Sequence, residues 1–148
     1  MCTFSIRVLV IIIPLILRLG TCYDGQTNQT LSGVYFYTAF DSAGARLVEG
    51  TLSLTINDSS VTGEWHLSKI STAQNIGPQV GSGQLQGSMH DGTLSLNLNP
   101  QWVDNNVFLF GKIENSIFRG SWSWSTFVGI TNAGSFEARK TLLFHDSE

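Results

Sequence analysis

The chain has 148 residues, of which 42% are apolar and 13% are charged. This length provides one domain of ordinary size plus a targeting segment, and the composition excludes both a disordered chain and a multi-span helical membrane protein. Outside the first 22 residues, six scattered basic residues face eleven acidic ones. Since phosphate neutralisation needs a basic patch, we expect no nucleic-acid partner.

Residues 1–22 have the features of an export signal. Arg7 precedes an apolar run from Val8 to Leu17. This run of about ten residues has the length of a signal-peptide core, whereas a membrane-spanning helix needs roughly 20 residues. We therefore interpret residues 1–22 as a signal peptide and not as a stable membrane anchor.

The segment Leu19-Gly20-Thr21-Cys22 resembles the lipobox of bacterial lipoproteins, in which the cysteine is diacylated and becomes the mature N-terminus. The resemblance implies lipidation of Cys22, and ordinary cleavage after Cys22 is the alternative. Both readings predict an extracytoplasmic protein, either lipid-anchored to a bacterial membrane or secreted. Because Cys2 lies in the same leader, we expect no intrachain disulfide in the mature domain.

The rest of the chain divides into a tether, one domain and a tail. Residues 23–30 are polar and aperiodic, which predicts a flexible tether. From residue 31 onwards apolar and polar residues alternate with period two, the pattern of strands with one buried face. We therefore predict a β-domain over residues 31–140 and a C-terminal tail over residues 141–148.

The alternation predicts eight strands separated by turns. The predicted strands are residues 33–40, 46–57, 61–70, 82–89, 93–99, 106–114, 117–126 and 133–140. Segments of Asn, Asp, Gly and Ser near residues 58, 91 and 115 have hairpin length. Neighbours in the sequence are therefore expected to be neighbours in an up-and-down antiparallel sheet.

Glycines within the strands favour a closed barrel. Gly63, Gly87, Gly111 and Gly120 each stand two residues before a large apolar side chain on the same face. Such alternation of small and large residues suits the inner face of a small barrel, and strand glycines indicate sharp bends or close packing. We predict an all-β, single up-and-down barrel of about eight strands. A flattened sandwich is one alternative, and an outer-membrane barrel with its apolar face towards lipid is another.

Three short motifs carry a resemblance to a known architecture. They are Leu-Ser-Gly-Val-Tyr at residues 31–35, Val-Thr-Gly-Glu-Trp at residues 61–65 and Gly-Ser-Trp at residues 120–122. On these motifs the domain resembles the avidin and streptavidin barrels and, more loosely, other calycins. The resemblance implies the barrel architecture. It does not imply biotin binding, because avidins place pocket tryptophans in the fifth strand and this chain has Leu-Ser-Leu-Asn-Leu at residues 94–98.

The sequence predicts no catalytic residue, no metal site and no cofactor. The three histidines, His66, His90 and His145, stand outside the dense spacings of metal-binding motifs. Glu64 and His66 share one outward strand face, so a hydrogen-bonded base there is the enzymatic alternative. We therefore expect a protein that is not an enzyme.

The aromatic residues are the candidate ligand-binding residues. Tyr35, Tyr37, Trp65, Trp122 and Trp124 are predicted on the inner face, where they either fill the core or line a pocket. Trp102 lies in the loop of residues 99–105 and is predicted to be an exposed contact residue or a cap over the barrel mouth.

The expected ligand is a small apolar or aromatic molecule or a glycan, and membrane contact is expected only through an N-terminal lipid. The favoured function is a non-enzymatic binding or envelope-associated barrel. The alternatives are an enzyme with a site at the barrel mouth and a structural or inhibitory surface protein that acts through its loops.

Overall fold

The computed structural model describes residues 31–141, which form a closed antiparallel β-barrel. Its strands are β1 (Gly33–Phe40), β2 (Arg46–Asn57), β3 (Ser60–Lys69), β4 (Gly81–His90), β5 (Thr93–Asn97), β6 (Asn106–Glu114), β7 (Ile117–Thr126) and β8 (Gly129–Lys140). Each strand pairs with the next, and β8 pairs with β1. The predicted fold class is therefore confirmed, and the closed ring excludes an open sandwich. The predicted leader, the tether and all of the tail except Thr141 lie outside the described residues.

Alternation of side chains explains why the apolar face points inward. In β2, Leu52, Leu54 and Ile56 are buried while the intervening residues are exposed. Leu52 lies opposite Tyr35 of β1 and Trp65 of β3, so cross-strand neighbours on the inner face are apolar together. The apolar face of the sheet thus forms the core of the barrel, the reverse of the arrangement expected for an outer-membrane barrel.

The strand glycines permit a close approach between neighbouring strands. A Cβ atom at Gly120 would lie 1.9 Å from the carbonyl oxygen of Phe110, and one at Gly63 would lie 1.9 Å from that of Ser53. No larger residue fits at these positions without moving the backbone, which agrees with the close packing expected from the sequence.

The two ends of the barrel differ. At the tight-turn end, two-residue turns at residues 58–59, 91–92 and 115–116 join neighbouring strands. The start of β1 and the end of β8 also lie at this end. At the loop end, the connections are residues 41–45, 70–80 and 98–105 and the turn of residues 127–128. The long connections therefore gather at one end, where loops most often carry binding residues.

The ring of strands closes without any residue outside 31–141. Within the same range no helix is long and apolar enough to cross a membrane.

Candidate functional site

Four of the predicted binding aromatics lie inside the barrel. Tyr35, Tyr37 and Trp122 have no exposed surface, and Trp65 is almost fully buried. They belong to one core of tightly packed apolar side chains. The ring of Tyr37 stacks on that of Phe136, with centroids 5.6 Å apart. The interior at the level of these residues is therefore occupied by the protein's own side chains.

The polar atoms of the two buried indoles are already bonded within the protein. Trp65 Nε1 donates a hydrogen bond to the carbonyl oxygen of Leu98 at 2.6 Å, and Trp122 Nε1 donates to that of Phe40 at 2.8 Å. Buried donors need such partners, so these bonds support the packing role of both residues.

The buried tyrosine hydroxyls are also engaged. Tyr35 Oη donates to the carbonyl oxygen of Leu31, and Tyr37 Oη donates to Gln79 Oε1 at 3.3 Å. Burial raises the pKa of Tyr35 to about 12 and raises the pKa of Tyr37 as well. An unfolded tyrosine ionises near pH 10, below the pKa of either buried hydroxyl. The free energy of unfolding is therefore unaffected by these groups below about pH 10 and falls as the pH rises above it.

The β3–β4 connection, residues 70–80, covers the mouth of the barrel and is here called the plug loop. Gln79 is fully buried, and its Nε2 donates to the carbonyl oxygen of Ile76 at 2.6 Å. Ile76 is itself buried in the core. Asn99 Nδ2 donates to the carbonyl oxygen of Pro78 at 3.2 Å, which joins the plug loop to the β5–β6 connection. A ligand would therefore reach the interior from this end only if the plug loop moved.

Trp124 lies at the rim of the barrel, where it packs against the core and against the plug loop. It is half-buried, and a Cβ atom at Gly77 would lie only 2.6 Å from Trp124 Cγ. Trp124 Nε1 donates to Asn105 Oδ1. The pairing of β7 with β8 shifts just after Trp124. The structure thus places Trp124 between two loops, away from the centre of the core where Trp122 lies.

A seam opens between β4 and β5 at the loop end. β5 has five residues, and its pairing with β4 extends only from His90 to Gln86, so residues 81–85 of β4 lack a β5 partner. Trp65 fills the inner side of this seam, where Gly83 leaves room for its ring. A Cβ atom at Gly83 would lie 2.9 Å from Trp65 Nε1.

Outside this seam is a groove of about 310 Å³, here called the seam groove. Its lining residues are Trp65, Pro78, Val80, Ser82, Gly83, Gln84, Leu98, Asn99, Gln101 and Trp102. Trp102 is 52% exposed, as expected for a contact residue, and it lies in the β5–β6 connection. Among residues 31–141, those that line the groove carry no formal charge. The seam groove therefore combines an exposed indole with neutral hydrogen-bonding groups.

The seam groove continues into a shallower depression of about 250 Å³ that includes Glu64 and His66. Both side chains are exposed on the outer face, as the alternation predicts. The Glu64 carboxylate accepts a hydrogen bond from Gln84 Nε2 at 2.9 Å. This bond ties Glu64 to the wall of the seam groove, so the pair extends the polar surface of the groove.

A depression of about 400 Å³ lies on the outer wall between β6 and β7, where Gly111 and Gly120 lack side chains, and it presents no exposed indole. Within residues 31–141, no three His, Cys, Asp or Glu side chains gather as metal ligands do. His145 and Cys22 lie outside the described residues.

Sequence reasoning identified Trp102 but missed the other side of the groove. Gly77 and Pro78 mark the plug loop as a connection in the sequence. Nothing local indicates that Gln79 turns inward and accepts a hydrogen bond from Tyr37, 42 residues earlier. Ser82 and Gln84 read as ordinary outward strand residues. The only sequence feature that indicates the seam is a fifth strand shorter than its neighbours. This seam brings Ser82 and Gln84 next to Trp102.

Comparison of the chain with protein-family models, curated proteins and solved structures finds no match. The geometry of the loop end is therefore the basis for the functional conclusion.

Proposed function

We propose that this chain is a non-enzymatic, extracytoplasmic binding protein that holds an uncharged glycan in the seam groove. The observation that carries the proposal is the position of Trp102, whose half-exposed indole borders a groove with Ser82, Gln84 and Gln101. An aromatic face packs against the C–H groups of a sugar ring, while hydroxyl and amide groups exchange hydrogen bonds with its hydroxyls. The groove residues carry no formal charge, and the adjoining Glu64 carboxylate disfavours an anionic sugar, so a neutral sugar fits best.

A glycan fits the structure better than a small apolar molecule held inside the barrel. An enclosed apolar ligand needs a cavity, since such sites bury most of the ligand surface. Here Tyr37, Trp122 and their neighbours fill the interior, and the plug loop covers its mouth. The seam groove is open to water and is lined by polar as well as apolar groups, as expected for a ligand that keeps part of its hydration.

The extracytoplasmic location rests on the sequence of residues 1–22. The apolar run from Val8 to Leu17 supports export, and the resemblance of residues 19–22 to a lipobox supports acylation of Cys22. With acylation the barrel is anchored to a bacterial membrane, and with ordinary cleavage it is secreted.

The test is a glycan array followed by calorimetric titration of the best neutral oligosaccharide. Trp102→Ala is expected to weaken binding at least tenfold, because it removes the only half-exposed indole of the groove, and loss of such an anchor costs about 1.4 kcal/mol or more. Phe36→Ala removes an exposed aromatic on β1, on the barrel wall, and is the matched control. Equal loss in both variants, or binding that survives Trp102→Ala, would refute the site.

The enzymatic alternative depends on Glu64 and His66. It predicts turnover of the bound oligosaccharide that disappears in His66→Ala, whereas the proposal predicts that the oligosaccharide is recovered intact from the wild-type protein.

A further inference from the structure

The hairpin of β7 and β8 projects beyond the rim of the barrel. The pairing of β6 with β7 ends at Ser125, and the pairing of β1 with β8 ends at Ser135. Residues 126–134 therefore have no partner in β1 or β6, and those that pair do so within the hairpin of β7 and β8. The projection is braced, because Asn132 Nδ2 donates to the carbonyl oxygen of Asn75 in the plug loop at 2.5 Å. It is thus an ordered part of the loop end.

The tip of this hairpin is apolar and almost fully exposed. Phe127, Val128 and Ile130 are 80%, 93% and 71% exposed, and Val103 of the β5–β6 connection is 90% exposed. Val103 and Phe127 line the same shallow groove of about 190 Å³, together with Phe108. These four exposed residues, Val103, Phe127, Val128 and Ile130, are here called the apolar tip. Exposed apolar groups gathered in this way mark an interaction surface.

The surroundings of the apolar tip are almost free of charge. No charged residue occurs from Gly120 to Phe136, and Asp104 is the only one from Gly92 to Gly111. The charged residues of β6, β7 and β8 are Lys112, Glu114, Arg119, Glu137, Arg139 and Lys140, all towards the tight-turn end. Asp104 lines the same groove as Val103 and Phe127, and the basic residues of the loop end, Arg46 and Lys69, belong to β2 and β3. The strands and connections that form the tip therefore contribute no basic group at the loop end, which fits a surface without net charge better than an anionic one.

We propose that the apolar tip inserts into the interface of a zwitterionic lipid bilayer. The apolar side chains of the hairpin turn are almost fully exposed, and a fluid lipid interface accepts such side chains without a preformed pocket. A protein partner would instead need a surface shaped to match both the hairpin and the β5–β6 connection. The proposal goes beyond glycan binding and does not depend on it. It adds a membrane contact at the loop end, which is the end of the barrel opposite to the start of β1.

The experiment measures flotation with phosphatidylcholine vesicles. The chain from Tyr23 to Glu148 is used, so that the apolar run of residues 8–17 does not contribute to flotation, and the closed ring lies within residues 31–141. The double variant Phe127→Ser, Val128→Ser is expected to partition at least tenfold less than the parent chain, a loss of about 1.4 kcal/mol. Phe36→Ser, an exposed aromatic of β1 outside the tip, is expected to leave partition unchanged.

Added salt separates this mechanism from an electrostatic one. Partition of the parent chain is expected to persist at 1 M salt, where the Debye length is about 3 Å. Far-ultraviolet circular dichroism checks that both variants keep the barrel. The proposal is overturned by a parent chain that does not float, by equal flotation of the double variant, or by flotation that salt abolishes. A concentration-dependent dimer that the double variant abolishes would assign the tip to a second copy of the chain and would also overturn it.

Discussion

Truncation of Trp122 provides the most direct test of the filled barrel. The side chain has no exposed surface, and it reaches over Gly134 of β8 to donate a hydrogen bond to the carbonyl oxygen of Phe40 in β1. Gly134 provides the space for its indole, since a Cβ atom there would lie 2.7 Å from Trp122 Nε1. Truncation of a large buried aromatic to alanine costs about 3 to 5 kcal/mol, so Trp122→Ala is expected to remove that much from the free energy of unfolding.

Because a domain of this size has only about 5 to 15 kcal/mol of stability, Trp122→Ala leaves little margin, and a milder variant keeps the test interpretable. Trp122→Phe keeps a ring in the core but leaves the carbonyl of Phe40 without its indole donor. The bond is only partly buried, so its loss is expected to cost about 1 kcal/mol, and this variant is expected to fall between the parent and Trp122→Ala.

The measurement is urea unfolding followed by far-ultraviolet circular dichroism, which does not depend on the tryptophan that is removed. The control is Ser121→Ala, an exposed position on the same strand, for which a change within about 0.5 kcal/mol is expected. If Ser121→Ala cost as much as Trp122→Ala, or if Trp122→Ala cost less than about 1 kcal/mol, the assignment of the inner face would be refuted.

Two further predictions concern the plug loop and the N-terminus. Gly77→Ala is expected to detach the plug loop, because the added Cβ atom would lie 2.6 Å from Trp124 Cγ, and hydrogen exchange in residues 70–80 should increase. Gly44→Ala has a similar positive φ with open space around it, so equal exchange in the two variants would show that contact with Trp124 is unimportant. Cys22→Ser is expected to abolish incorporation of labelled palmitate, whereas an unlabelled, secreted wild-type protein would refute lipidation.

Much of the fold follows from the alternation of residues, because one face of each strand is buried and the other is wet. The deviations have identifiable causes. β5 was predicted to continue to residue 99 and ends at Asn97, although Leu98 keeps the alternation and is buried. The backbone of Leu98 no longer pairs with β4. Its N–H donates a hydrogen bond to the carbonyl oxygen of Val107, and its carbonyl oxygen accepts a hydrogen bond from Trp65 Nε1. The apolar alternation predicts which side chains are buried. It does not predict which strand the backbone forms hydrogen bonds with.

β8 deviates in the opposite direction, because it begins at Gly129 and not at residue 133. The extra residues belong to the projecting hairpin, where neither face is buried against the core. A strand with two exposed faces has no apolar alternation, so the sequence pattern could not show it. Ile130 of the apolar tip was missed for the same reason, whereas Val103, Phe127 and Val128 lie in connections, to which the alternation does not apply.

The two proposed surfaces meet at consecutive residues of one connection, and this arrangement makes them separable by experiment. Trp102 borders the seam groove, while Val103 belongs to the apolar tip. If both surfaces act as proposed, a glycan bound at Trp102 is held close to the headgroups of the bilayer that the tip enters. Loss of glycan binding alone in Trp102→Ala, together with loss of flotation alone in the hairpin variant, would establish two sites. Loss of both activities in each variant would instead indicate one continuous surface, with the β5–β6 connection at its centre.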